Sequence, residues 1–226
     1  MTLAQRVLRL PRSEGKAVYD FLFAPAASAH PDRIGLPEPL RSAGPAVRAL
    51  ALAAKGEPAA GKVDGLPELI NWRSPDHRTA ILPAKVLETL AWYLGLAAYA
   101  GTLRRVVLRD ELMALNAAGI GDSELQFVYS LPAPDPQLTD TEPVSVLAGE
   151  GASSRVWRAG WTQLIELASR LPAPIGARFR LKLPFVETEA AERPPSMNEA
   201  AFAHVRKLVM DSMLPQFDES LESLAA

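Results

Sequence analysis

The chain has 226 residues, 48% of them apolar, which is enough for one sizeable hydrophobic core. Lys and Arg at 24 against Asp and Glu at 26 leave a formal charge of -2, so no global field draws the molecule to nucleic acid or to an anionic membrane surface. With no cysteine, disulfides, thiolate metal sites and cysteine nucleophiles are excluded, which suits a reducing compartment.

Met1 to Arg12 mixes Arg6, Arg9 and Arg12 with leucines and lacks the uninterrupted apolar segment of a signal peptide, so a cytoplasmic location is expected. From Leu3 to Phe23 the apolar positions Val7, Leu10, Val18, Phe21 and Leu22 predict two short helices broken at Pro11. Pro25, Pro31, Pro37, Pro39 and Pro45 then forbid a continuous helix, because each lacks an amide donor and clashes with the preceding turn. The spacing predicts a helix over Ala46 to Lys55 with Gly56 as its C-terminal cap, and a short one over Leu66 to Trp72 opened by Pro67. Ser74-Pro75-Asp76-His77 reads as a turn.

The chain is organised around Lys85 to Leu103, where Val86, Leu90, Leu94 and Ala97 form one apolar stripe and Trp92, Leu96, Tyr99 and Leu103 cover the opposite side. A helix apolar nearly all round is a buried helix. Its uncharged run, between Glu88 and Arg104, is about 15 residues, short of the roughly 18 to 20 that span a bilayer. Arg104 to Asp110 is expected to lead into a second helical run ending at Asn116, with Gly101 permitting a kink between the two. Gly119-Ile120-Gly121 breaks that run, and Asp122 or Ser123 caps a further helix that Pro132 closes.

Pro132 to Gly151 holds four prolines and no sustained period, so it is expected to be a flexible or partner-ordered loop. A helix follows from Ser154 to Leu171, with Trp157, Trp161, Leu164, Ala168 and Leu171 on its apolar stripe. Phe179, Leu181, Leu183 and Phe185 alternate with Arg178, Arg180 and Lys182, the period of a half-buried strand, although a lone strand is unstable and a helical turn remains the alternative. Glu187, Glu189 and Glu192 read as an acidic, solvated linker. Ser196-Met197-Asn198-Glu199 has the spacing of a capping box for a last helix through Phe202, Val205, Val209 and Met213, stopped before Pro215; the tail to Ala226 is expected to fray or to fold on binding. The expected fold is therefore mainly α. It is a single compact helical domain over 1–226 with long proline-rich loops and room for one short β-hairpin or strand pair. Its parts are a proline-interrupted stretch 1–82, a central part 83–185, a C-terminal helix 196–214 and a tail 215–226.

The three histidines, His30, His77 and His204, have no second histidine or carboxylate at metal-motif spacing and are read as surface or capping residues. Asp76 and His77 as an acid and a base, without a serine on a nucleophile elbow, make a helical enzyme a distant third reading. Arg104, Arg105 and Arg109 are the candidate partner-binding residues: Arg105 and Arg109 are four apart and so are expected to share a helix face, where they can engage a carboxylate-rich surface. No metal and no cofactor is expected.

Leu94-Gly95-Leu96, then Gly101-Thr102-Leu103-Arg104-Arg105-Val106-Val107-Leu108, a tryptophan-bearing helix around Trp161, and Arg178-Phe179-Arg180-Leu181-Lys182-Leu183-Pro184 occur in that order over Val86 to Phe185. In this the chain resembles the SctK/YscK adaptor proteins of type III secretion systems. The resemblance implies a cytoplasmic, non-enzymatic component of the sorting platform, at the cytoplasmic face of the inner membrane when assembled. Such a component joins the cytoplasmic domain of an SctD-like inner-membrane ring protein to an SctQ-like pod protein, and through it an SctL-like stator and SctN-like ATPase. The reading from another class is a small helical chaperone or regulatory binding protein with one partner, for which a stable homodimer is expected.

Overall fold

The computed structural model describes residues 3–35, 37, 44–56, 65–132, 147, 151–186 and 197–225. Among them the chain forms fourteen α-helices and no strand, a mainly-α fold as the periodicities require. It divides into two compact units, each assembled from separated stretches: Met1–Leu87, Leu164–Phe185 and Met210–Ala226 in the first, Glu88–Gln163 and Val186–Val209 in the second.

The first unit begins with α1 (Leu3–Val7) and α2 (Arg12–Phe23), broken at Pro11 as expected. Prolines then start elements rather than merely ending them. A 3-10 turn at Pro25–Ser28, α3 (Pro31–Ile34), α4 (Pro45–Ala54) and α6 (Pro75–Ile81) each open on a proline, where the missing amide is one the helix leaves unsatisfied anyway. Between the last two, α5 (Leu66–Leu69) has Pro67 in its first turn. The stretch from Ser74 to His77, expected to be a turn, is the start of α6, and Arg78, Thr79, Ala80 and Ile81 are buried there. Ala26, Ala29, Ile34, Leu52 and Leu181 form one apolar cluster of this unit.

The Ala177 to Phe185 segment is helical: α12 (Ala173–Leu181) replaces the strand its alternation allows. Ile175, Arg178, Phe179 and Lys182 are all buried, at the helical spacing of three, four and seven. Two of these four are cations, and each ends on the C-terminal carbonyls of another helix. Arg178 donates to the carbonyls of Phe21 (2.5 Å) and Leu22 (2.6 Å) at the end of α2. Lys182 donates from Nζ to the carbonyls of Ala80 (3.0 Å) and Leu82 at the end of α6. The last carbonyls of a helix lack partners within it and sit at the negative end of its dipole, so cations are the donors best suited to them. Arg33 completes the set, donating to the carbonyls of Leu183 (2.9 Å) and Pro184 (3.1 Å) just beyond α12, with its guanidinium 4.2 Å from the Phe185 ring.

The tail is folded. α14 (Phe217–Glu222) buries Phe217 and Leu221, and buried Arg78 donates to Asp218 (3.0 Å) and Glu222 (2.7 Å). Arg6 donates to the carbonyl of Leu224 at 2.6 Å.

In the second unit, the central helix α7 (Ala84–Ala98, of which 88–98 belong here) stops at Tyr99 and resumes as α8 (Ala100–Leu103). After it come α9 (Arg109–Ala117) and α10 (Asp122–Ser130); the cap of α10 is Gly121 rather than Asp122 or Ser123, which are already helical, and the Glu124 carboxylate accepts the Gly121 amide at 3.1 Å. α11 (Ala152–Arg170) contributes residues 152–163 to this unit and α13 (Glu199–Met213) its residues up to Val209. Leu96, Leu103, Val106, Leu115, Ile120, Val128 and Val156 are among its core residues. The Trp92 and Trp157 rings meet at a tilt with centroids 5.1 Å apart and Trp157 stacks on Trp161 at 6.0 Å; Trp161 is core and Trp157 half-buried against it. At α13, Asn198 accepts the Ala201 amide through Oδ1 at 2.8 Å, while Ser196 of the expected capping box lies outside the described residues. The expected loop over 132–151, apart from Pro132, buried Leu147 and Gly151, and the acidic linker at Glu187, Glu189 and Glu192 also lie outside them.

Candidate docking surface

The three arginines read from the sequence fall on the turn between α8 and α9, in the second unit. The chain leaves the helix after Leu103, buries Val106 and re-enters helix at Arg109. Arg105 and Arg109 therefore do not share one helix face, because the backbone between them is not helical. Their functions also separate. Arg104 is half-buried, and its guanidinium donates to the carbonyls of Val128 (2.9 Å), Leu131 and Pro132 (3.3 Å), closing the C-terminus of α10. It is a structural staple. Arg105 donates from Nε to the Gly101 carbonyl at 3.2 Å and is exposed, as is Arg109 at the first position of α9.

Between and beyond these two lie four exposed apolar side chains: Val107, 77% exposed, Leu108, Leu112, and Met113, 63% exposed. Leu108 stands just before α9, and Glu111 folds back to accept its amide at 3.4 Å, holding the turn and first helical residues in register. Leu115 on the same helix is buried and fixes its inner face. Met113, two residues away, lies about 200° round the helix from Leu115 and so points outward. Leu108, extended just before the helix, and Leu112 in its first turns are exposed as well. The result is an apolar ridge within seven residues, edged by Arg105 and Arg109 and carrying Asp110 and Glu111, with the anchored turn behind it. Such a surface can exclude water against a complementary face and orient it by charge.

The arginines are visible in the sequence as charge, whereas the exposure of the apolar side chains beside them is decided by packing. A signal for it exists: Leu112, Met113 and Leu115 span more of the helix circumference than one buried face can absorb.

Two of the three histidines, His77 and His30, serve the backbone. His77 Nδ1 accepts the Asn71 amide at 3.1 Å, and burial lowers its pKa, with Asp76 acting in the opposite sense, so it is neutral at pH 7. His30 Nδ1 accepts the Asp32 amide at 3.3 Å at the start of α3. Among the described residues no group of three His, Asp or Glu is placed to hold a metal ion, and no helix is long and apolar enough to cross a membrane. No family model, no curated protein and no solved structure matches this chain.

Proposed function

We propose that this chain is a non-enzymatic cytoplasmic adaptor of a type III secretion sorting platform. In this reading it links the cytoplasmic domain of an SctD-like inner-membrane ring protein to an SctQ-like pod protein, and so supports protein secretion. The observation that carries the reading is the apolar ridge Val107, Leu108, Leu112 and Met113, edged by Arg105 and Arg109, on an all-helical scaffold. A soluble chain hides large apolar groups unless something else covers them, and four within seven residues mark a docking surface. The resemblance of the Gly101 to Leu108 segment to the SctK/YscK adaptors supplies the identity of the partners. That segment is where the ridge begins.

The test is co-purification of the full chain with an SctD-like cytoplasmic domain and an SctQ-like protein from the same secretion system, with light scattering for mass. A complex with either, or a bridged complex with both, is expected. Leu112→Asp with Met113→Asp should abolish one of the contacts without loss of helical circular dichroism. A chain that binds neither protein and forms a stable homodimer through the ridge would overturn the adaptor and favour the chaperone or regulator.

A further inference from the structure

Helix α2 is fixed in rotation by its inner face. Ala17, Val18, Phe21 and Leu22 are buried there, and Arg178 holds the carbonyls of Phe21 and Leu22. At 100° per residue, Arg12, Lys16, Tyr19 and Phe23 fall within about 60° of one another on the opposite side. All four are exposed, Tyr19 by 54% and Phe23 by 55%, and the two rings meet with centroids 5.5 Å apart. The stripe is about 16 Å long, with its cations in the N-terminal half and its aromatics in the C-terminal half. Asp20 stands at its edge, paired with Lys16. Beside it the turn after α1 packs on Gly15, where an added Cβ would stand 3.1 Å from the Val7 carbonyl oxygen, and Leu8 of that turn is 84% exposed.

This order of side chains is complementary to its own reverse. An antiparallel pair of α2 helices, with a two-fold axis between Lys16 and Tyr19, sets Arg12 of each copy on Phe23 of the other and Lys16 beside Tyr19. A cation over an aromatic face is attractive, and the chain makes the same contact internally, with the Arg33 guanidinium 4.2 Å from the Phe185 ring. Asp20 and Lys16 lie on the same edge of the pair, so the two intrahelical ion pairs meet with opposite charges adjacent. At the N-terminus of its own helix Arg12 opposes the helix dipole; across the two-fold axis it lies at the C-terminal end of the other α2, where the dipole favours a cation. A parallel pairing would instead set cation against cation.

We propose that the outer stripe of α2, Arg12, Lys16, Tyr19 and Phe23, is a self-association surface whose occupant is the same stripe of a second copy of this chain, antiparallel across a two-fold axis. A stripe one helix wide falls short of the roughly 1,200 Å² of a standard interface, so the dimer is weak, half formed at about 100 μM. The surface belongs to the first unit and does not depend on the adaptor reading, whose ridge belongs to the second.

Sedimentation velocity on the full chain from about 5 to about 500 μM tests the proposal. The unaltered chain is expected to pass from monomer to dimer over this range. Tyr19→Ser with Phe23→Ser should need at least about tenfold more protein to dimerise, with unchanged helical circular dichroism because both positions are exposed. Arg12→Glu sets a carboxylate on Phe23 of the other copy, and Phe23→Arg sets two guanidinium groups together, so each variant alone should stay monomeric. Mixed in equal amounts they should form a heterodimer, with an ion pair at one end and Arg12 on Phe23 at the other. A chain that stays monomeric at about 500 μM, or a mixture that fails to associate, overturns the pairing. A dimer that is lost in Leu112→Asp with Met113→Asp but kept in Tyr19→Ser with Phe23→Ser belongs to the ridge and overturns it as well.

Discussion

Gly160 of α11 lies directly against Gly95 of α7: a Cβ added to Gly160 would stand 3.0 Å from the Gly95 amide nitrogen and overlap the carbonyl oxygen of Ala91. A Cβ on Gly95 would overlap the carbonyl of Val156 in the same way. Leu94 and Leu96 beside it are fully buried, so the Leu94-Gly95-Leu96 sequence is a pair of core side chains around a gap that admits a neighbouring backbone. Gly95→Ala and Gly160→Ala should each destabilise the fold by about 3 kcal/mol through overpacking. Urea denaturation followed by circular dichroism checks this, and an unchanged midpoint in either variant would refute the close approach.

Arg178 supplies two hydrogen bonds that no neutral side chain can replace. Arg178→Met should cost about 3 kcal/mol, since hydrogen bonds from a charged donor to buried carbonyls are each worth roughly 1.5 to 3. Arg178→Lys should restore only part of that, because both bonds leave one nitrogen, Nη1, at the tip of the longer arginine side chain, which a lysine does not reach without a shift of the helix. Thermal melting of the two variants side by side separates charge from reach.

Arg78 pins the folded tail. Arg78→Ala should leave most of the helical signal intact while amides of Phe217 to Leu224 lose protection, because two carboxylates and the Trp72 carbonyl lose one shared donor. Exchange rates for that segment rising at least tenfold, with residues 88–98 unchanged, is the expected pattern. Equal loosening everywhere would mean that the tail is not a separate cooperative unit.

The arginines of the docking surface should divide by role. Arg104→Ala should lower stability by about 2 kcal/mol, since its guanidinium closes the C-terminus of α10. Arg105→Glu with Arg109→Glu should shift stability by less than about 0.5 kcal/mol, as exposed substitutions do, while weakening the ridge contact. Similar denaturation midpoints for the two variants would contradict this division.

Helix content, the breaks at Pro11 and Pro132, the capping glycine at Gly56 and the stop before Pro215 were all legible in the sequence, because each follows from rules local to a few residues. Proline lacks its amide donor wherever it stands, and a 3.6-residue apolar period marks a helix before its partner is known. What the sequence by itself determined was therefore that this chain is helical and where its main helices start and stop. Only the tertiary structure decided α12. Arg178 and Lys182 look like the polar half of an alternating strand until the carbonyl ends of α2 and α6, a hundred residues or more away in sequence, arrive to receive them. Counted as buried, those cations complete a helical stripe; counted as solvated, they erase it. The docking surface divides in the same way. The charges of Arg104, Arg105 and Arg109 were visible in the sequence, but a distant helix end absorbed Arg104, and the packing of Leu115 turned Met113 and its neighbours outward. Whether a polar side chain is buried, or an apolar one exposed, depends on which surfaces the rest of the chain brings to it, and no window of sequence contains that.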